Sequence, residues 1–195
     1  MKAYYDRRAP EYDDVYHGSG LYAARERPGW HEDLARLEDV VASLPPVRTL
    51  DVACGTGFLT RHLRGDVVGL DQSESMLEIA RERVPHATFV RGDALELPFA
   101  DGEFDRIFTS WFYCHLEEPE RIRFLDEARR VARELVVVGS FRREGAESTQ
   151  WQERRLSDGS RWTVYKRLFD PEALAAELGG GRVLYAGDWF VAVQA

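Results

Sequence analysis

Short runs of β-branched and leucine residues alternate along this chain with stretches in which apolar positions recur every three or four residues. Val47–Val52, Val67–Leu70, Thr88–Arg91, Arg106–Thr109, Leu135–Ser140, Arg182–Ala186 and Trp189–Gln194 read as strands. The helical period covers Trp30–Ser43, Phe58–Leu63, Ser75–Val84, Pro119–Ala132 and Pro171–Leu178. Strands that alternate with helices build a mostly parallel sheet covered on both faces. Only Gly187-Asp188 parts the last two strands, too little for a crossover, so these two pair antiparallel. Residues 144–169 break the alternation: Trp151–Leu156 and Arg161–Phe169 flank the turn Ser157-Asp158-Gly159-Ser160, which predicts an inserted hairpin beside the ligand crevice. A polar, tyrosine-rich segment, 1–29, precedes the first helix. With no repeat, low-complexity tract or long linker, residues 1–195 read as one domain.

The first strand runs into Asp51-Val52-Ala53-Cys54-Gly55-Thr56-Gly57, where glycines let the backbone turn sharply and come close to a ligand. The Phe58–Leu63 helix would then present free amide donors at its start. A dinucleotide fingerprint requires glycine or alanine where Thr60 stands, and no Gly-Lys-Ser or Gly-Lys-Thr follows for a Walker loop. The second strand ends at Asp71, at the carboxyl edge where open α/β sheets contact ligands. An ionised carboxylate there accepts from both hydroxyls of a ribose, unless Asp71 only caps the next helix near Ser73. The third strand ends at Gly92-Asp93-Ala94. An Asp93 acceptor and an Ala94 amide donor together suit the edge of an adenine.

These residues, taken in order, resemble the class I S-adenosylmethionine-dependent methyltransferases of small-molecule type, the group that includes ubiquinone and menaquinone methyltransferase relatives. Asp51-x-Ala53-x-Gly55-x-Gly57 matches the first motif with Ala53 in place of a glycine. Asp71 matches the ribose ligand, Asp93 the adenine contact, and Phe104–Phe108 the fourth strand. The resemblance covers about residues 34–135. It implies a Rossmann-like α/β sheet of seven strands with one reversed, and S-adenosyl-L-methionine as cofactor. It further implies cofactor contacts from Gln72, Ala94, Ser110 and, against the adenine ring, Met76. The alternative function is a non-catalytic protein that binds S-adenosylmethionine or S-adenosylhomocysteine.

Methyl transfer from a sulfonium needs positioning and exclusion of water more than acid–base help, and no metal. The segment Thr109–Leu116 follows the fourth strand and is expected to face the transferred methyl, with Ser110, Trp111 and Tyr113 beside it. His115 is the candidate base, since an imidazole titrates near neutrality. The segment departs from the Asn/Asp-Pro-Pro-aromatic motif of enzymes that methylate exocyclic or amide nitrogens, which disfavours DNA adenine and protein glutamine as acceptors. Tyr4, Tyr12 and Tyr16 are expected in a lid over the cofactor, and Trp151 and Trp162 in an apolar wall for a small-molecule acceptor.

A net charge of -8 disfavours a nucleic-acid partner. Arg142, Arg143, Arg154 and Arg155 are expected on a solvated rim. The absence of a membrane-length apolar run and of a leader leads to the expectation of a cytoplasmic enzyme with no membrane association. Cys54 and Cys114 lack metal-ligand spacing and suit a reducing compartment. Nothing in the pattern bears on oligomeric state.

Overall fold

A computed structural model describes residues 2–195. The chain opens with the short helices α1 (Lys2–Arg8) and α2 (Asp14–His17), then α3 (Trp30–Ser43). The alternating part follows as β1 (Thr49–Val52), β2 (Val67–Asp71), α4 (Glu74–Arg83), β3 (Thr88–Arg91), β4 (Phe104–Ser110), α5 (Glu118–Val131) and β5 (Ala132–Ser140). A separate antiparallel hairpin, β6 (Thr149–Arg155) and β7 (Arg161–Arg167), precedes α6 (Pro171–Glu177), β8 (Arg182–Ala186) and β9 (Phe190–Gln194). The main sheet has the order β3-β2-β1-β4-β5-β9-β8, and β9 alone runs against both neighbours.

Every residue of β1 and β2 is buried, as strands covered on both faces require. Alternation along the inner strands divides the core. Ile107 and Val137 pack with Phe124, Ala128 and Leu174 of α5 and α6 on one face, while Phe108, Val136 and Val138 meet Leu34, Leu37 and Val41 of α3 on the other. No helix among the described residues is long and apolar enough to cross a membrane.

One expected helix is not there. Phe58–Leu63 yields only a 3-10 turn at Thr60–His62, because the chain must reverse at Gly65, whose φ of +99° and contact with the Val47 backbone exclude a side chain. Six residues between two forced turns leave no length for an α-helix. The fifth strand also starts earlier than its apolar run, at Ala132, where α5 passes directly into extended backbone.

The reversed strand is held from across the sheet. Asp33 of α3, 5% exposed, accepts from the amides of Trp189 (2.9 Å) and Phe190 (3.2 Å) and from the Tyr185 hydroxyl. Removing this carboxylate leaves buried donors without partners, each costing about 1–3 kcal/mol. Asp33→Ala is therefore expected to lower unfolding stability by about 2–4 kcal/mol, read as a shift of the urea midpoint; a change under about 0.5 kcal/mol would contradict this role.

Candidate functional site

The carboxyl ends of β1, β2 and β4 and the turn after β3 open onto a cavity of about 320 Å³. It lies where the strand order reverses direction about β1, the switch point at which such sheets bind ligands. Of the expected cofactor residues, Ala53 and Gly55 line it after β1, Asp71, Gln72 and Met76 at and after the end of β2, Asp93 and Ala94 after β3, and Ser110 at the end of β4.

The floor is built by backbone conformation. Ala53, Gly55 and Gly57 take φ values of +57°, +56° and +74°, so left-handed residues alternate through the turn. A β-carbon on Gly55 would meet only the Tyr12 ring, at 3.6 Å and beyond, so this glycine faces the cavity. Gly57 does not line it; a β-carbon there would sit 3.1 Å from Val84 and 3.4 Å from Ala80, so the residue lets α4 pack closely. Ala53 holds the same conformation with a side chain, a strain of roughly 1–2 kcal/mol.

Two carboxylates stand behind this floor. Asp71, 7% exposed, accepts from the Gly55 amide through Oδ2 and the Ser73 amide through Oδ1, both at 2.9 Å. It is not the cap of α4, because the Ser73 hydroxyl accepts from the Met76 amide instead. Burial pushes the Asp71 carboxyl up from its ordinary range, and the backbone amides of Ser73, Gly55 and Gln72 oppose that shift. Asp51 does not reach the cavity surface: it is 1% exposed, accepts from the Thr60 hydroxyl at 2.6 Å through Oδ2, and leaves Oδ1 with no partner. Burial pushes Asp51 up to about 7, with the Thr60 bond opposing and the Asp71 charge adding.

The amino-terminal segment covers the opening. Tyr12 lines the cavity, as does Tyr5, which the sequence pattern had not singled out. Tyr4 and Tyr16 depart from expectation. Tyr4 is 1% exposed and packs against Trp162, Leu156 and Val164 of the hairpin, while Tyr16 stacks on Phe58 at 4.1 Å and backs Trp111. The cover is tied across the glycine turn. Asp13 accepts from the Thr56 hydroxyl (2.7 Å) and pairs with Arg83, and Asp6 accepts from the Ser73 hydroxyl (2.6 Å).

Beyond β4, Trp111 lines the cavity at a φ of +52°, a strained backbone for a bulky residue. Tyr113 turns away into the core, where its hydroxyl donates to Glu177 at 2.7 Å. His115 lines the cavity, and its Nδ1 lies 2.6 Å from the Tyr165 carbonyl. A carbonyl only accepts, so Nδ1 carries the proton and Nε2 is left as an acceptor. Burial lowers the His115 pKa to about 3, with Lys166, Arg154 and Arg8 adding to the shift and the Tyr165 carbonyl opposing it. The expectation of an imidazole that titrates near neutrality is thereby corrected: this one is held neutral.

The hairpin also differs in detail. Trp151 is 62% exposed on its outer face and walls nothing, whereas Trp162 backs the amino-terminal cover through Tyr4. Arg142, Arg143 and Arg155 lie on the surface as expected, but Arg154 turns inward, its Nε buried without a partner. The helical pattern of α4 carries no sign that Arg83 reaches back to Thr56 and Asp13. Tyr5 was legible only as half of a tyrosine pair, and strand alternation in β6 was the signal that could have placed Arg154 inside.

Residues 49–134 match a protein-family model described as "Methyltransferase domain". A demethylmenaquinone methyltransferase of Renibacterium salmoninarum is 35% identical over 146 residues, 72% of this chain and 58% of the relative. An uncharacterised methyltransferase of Alkaliphilus oremlandii is 26% identical over 87% of this chain and 79% of its own length. The chain spans about half the length of most of the curated relatives it matches first. Among solved structures, the DhpI-SAM-HEP complex superposes with a TM-score of 0.74 at 24% identity, covering 98% of this chain and 94% of that one, a likeness of fold.

Asp51 supplies a test of the buried carboxylate pair. Its folded-state pKa of about 7 lies above the ordinary value of 3.8, so the folded protein binds the proton more tightly and loses stability as pH rises between the two. Asp51→Asn, which never ionises, should gain in Tm relative to wild type between about pH 4 and about pH 8; a difference that stays constant over that range would contradict the shift.

Proposed function

We propose that the protein transfers a methyl group from S-adenosylmethionine to a small-molecule acceptor, since residues 49–134 match a methyltransferase-domain model and the chain shares the fold of the DhpI-SAM-HEP complex. The observation that carries this reading is the buried Asp71 carboxylate at the end of β2, facing the cavity while it anchors the Gly55 amide. Each Asp71 oxygen retains a lone pair beyond its backbone bond, the acceptors that a ribose diol requires. Asp93 and Ala94, after the edge strand β3, offer an acceptor and an amide, and Met76 gives the same cavity an apolar, polarisable face.

S-adenosylmethionine supplies a methyl group on a positively charged sulfur, a leaving group that needs no acid. The chain's own part is then positional. Tyr5 and Tyr12 exclude water from above, Trp111 closes the side, and the cover is fastened by the Asp13–Thr56–Arg83 and Asp6–Ser73 contacts. His115 Nε2 can accept a hydrogen bond from an acceptor hydroxyl and so orient its oxygen, but burial makes it a weak proton store. The relatives named as demethylmenaquinone methyltransferases support an acceptor of small-molecule size, and the aromatic lining favours one with an apolar portion.

The test combines binding and turnover. Calorimetry is expected to show S-adenosylhomocysteine binding in preference to NAD. Asp71→Asn, which keeps the shape but loses the charge, should weaken that binding by about 1.5–3 kcal/mol, roughly tenfold to a hundredfold. Equal affinity in the variant would remove Asp71 from the ribose. Mass spectrometry of wild-type protein with S-adenosylmethionine and a panel of hydroxyl, amine and carboxylate acceptors should find a product heavier by one methylene; none across the panel, with cofactor bound, would favour a non-transferring protein.

A further inference from the structure

Three cations stand on the hairpin and the amino-terminal cover, around the turn that carries His115, with no carboxylate among them and none of them lining the cavity itself. On the hairpin, β6 and β7 alternate so that Gln152, Arg154 and Leu156 share one face with Trp162, Val164 and Lys166. That face packs on the amino-terminal cover, where Tyr4, Leu156 and Val164 form a small core with Tyr5 and Trp162 against it. The Tyr165 carbonyl between Val164 and Lys166 holds His115, so the same hairpin sits over the turn that carries Cys114 and His115. From α1, Arg8 reaches in, its guanidinium 4.8 Å from the centre of the Tyr12 ring and one nitrogen 2.7 Å from the Tyr4 hydroxyl.

Arg8, Arg154 and Lys166 form no ion pair among the described residues. Arg154 bonds only the Gln152 side chain, and its Nε is buried without a partner. Lys166 is close enough to Arg154 and Arg8 to be destabilised by both charges, after burial itself, with the Cys114 thiol the one opposing group. The acids on the enclosing elements are committed elsewhere. Asp6 is taken by Lys2 and Ser73, Glu11 by the Ser157 amide, Asp13 by Arg83, Glu153 by Arg161 and Asp158 by Arg7. Glu120, on the cavity rim, is held in the capping box of α5.

Half-buried cations crowded together are costly unless a counter-charge arrives, and the described residues provide none. We propose that Arg8, Arg154 and Lys166 form an anion subsite, so that the methyl acceptor carries a carboxylate or phosphoryl group. The word acceptor rests on the methyl-transfer reading above; the anion subsite itself rests on the cluster. The remaining groups around it, Tyr4, Tyr5, Tyr12, Cys114 and His115, are neutral; the Tyr4 hydroxyl and the Tyr12 ring hold Arg8 in place without cancelling its charge. An anion bound there would direct the opposite end of the acceptor toward Trp111 and the cavity, and it would offset the charges that add to burial in holding His115 neutral. Two cations on one strand pair and a third on the cover also link lid closure to acceptor binding, since the subsite is complete only when α1 lies against the hairpin.

Calorimetry and thermal melting with inorganic phosphate, benzoate and the neutral benzamide test this, each with and without saturating S-adenosylhomocysteine. The proposal predicts that one or both anions bind and raise Tm while benzamide does not, that phosphate against benzoate shows which anion class is preferred, and that binding weakens as salt rises. Arg154→Gln and Lys166→Met should each weaken the anion at least tenfold, with Arg154→Lys and Lys166→Arg restoring part of it. Anions that bind no better than benzamide, or equally well to the Arg154→Gln/Lys166→Met double variant, overturn the subsite. The wild-type comparison decides the matter even where a variant fails to fold. Failure of S-adenosylhomocysteine to bind would overturn the methyl-transfer reading alone, because the anion arms without it still report on the cluster.

Discussion

The carboxylate of Asp71 is the constraint on which the site depends. Its two oxygens take the amides of Gly55 and Ser73, and with them fix the glycine turn after β1 against the end of β2 and the start of α4. Both amides are buried, so each bond is worth more than its surface equivalent and its loss would strand a buried donor. The left-handed residues at 53, 55 and 57 follow from the same requirement, since the chain has to leave the sheet edge, present an amide to Asp71 and return to pack on α4 within a few residues.

From that anchor the rest of the site is assembled by opposed charges. Acids collect beneath the glycine turn, where the Asp71 charge adds to the burial that raises the pKa of Asp51, and cations collect beneath the hairpin, where Lys166, Arg154 and Arg8 add to the burial that depresses that of His115. The cover spans the two regions. Its Asp6 and Asp13 reach Ser73, Thr56 and Arg83 at the acidic end, and its Arg8 and Tyr4 meet the hairpin at the cationic end. A ligand with a positive centre and a partner with a negative group would each find its complement, with Tyr5, Tyr12 and Trp111 between them excluding water.

The sheet was legible because its strands are covered on both faces and so read as continuous apolar runs, and the short step at Gly187-Asp188 was enough to reverse the last one. The glycine turn and Asp71 were legible for a related reason: they sit at strand ends, where position in the fold follows from position in the sequence. What was not legible depends on contacts distant in sequence. Tyr113 and Tyr16 have the composition of cavity residues but find Glu177 and Phe58 instead. Trp151 and Arg154 exchange their expected places because an inserted hairpin can present either face, and only the packing of Tyr4 against Leu156 and Val164 settles which face is inside. The helix expected at Phe58–Leu63 failed because Gly65 serves the neighbouring Val47 backbone, a constraint that periodicity does not carry.

A crystal structure with S-adenosylhomocysteine bound would test the central claim most directly. The account predicts both ribose hydroxyls within hydrogen-bond distance of Asp71, the Gly55 and Ser73 amides still donating to the same carboxylate, and the sulfur directed toward Trp111 and His115. A ribose bound away from Asp71, or a cavity left empty by a ligand seated elsewhere, would contradict it.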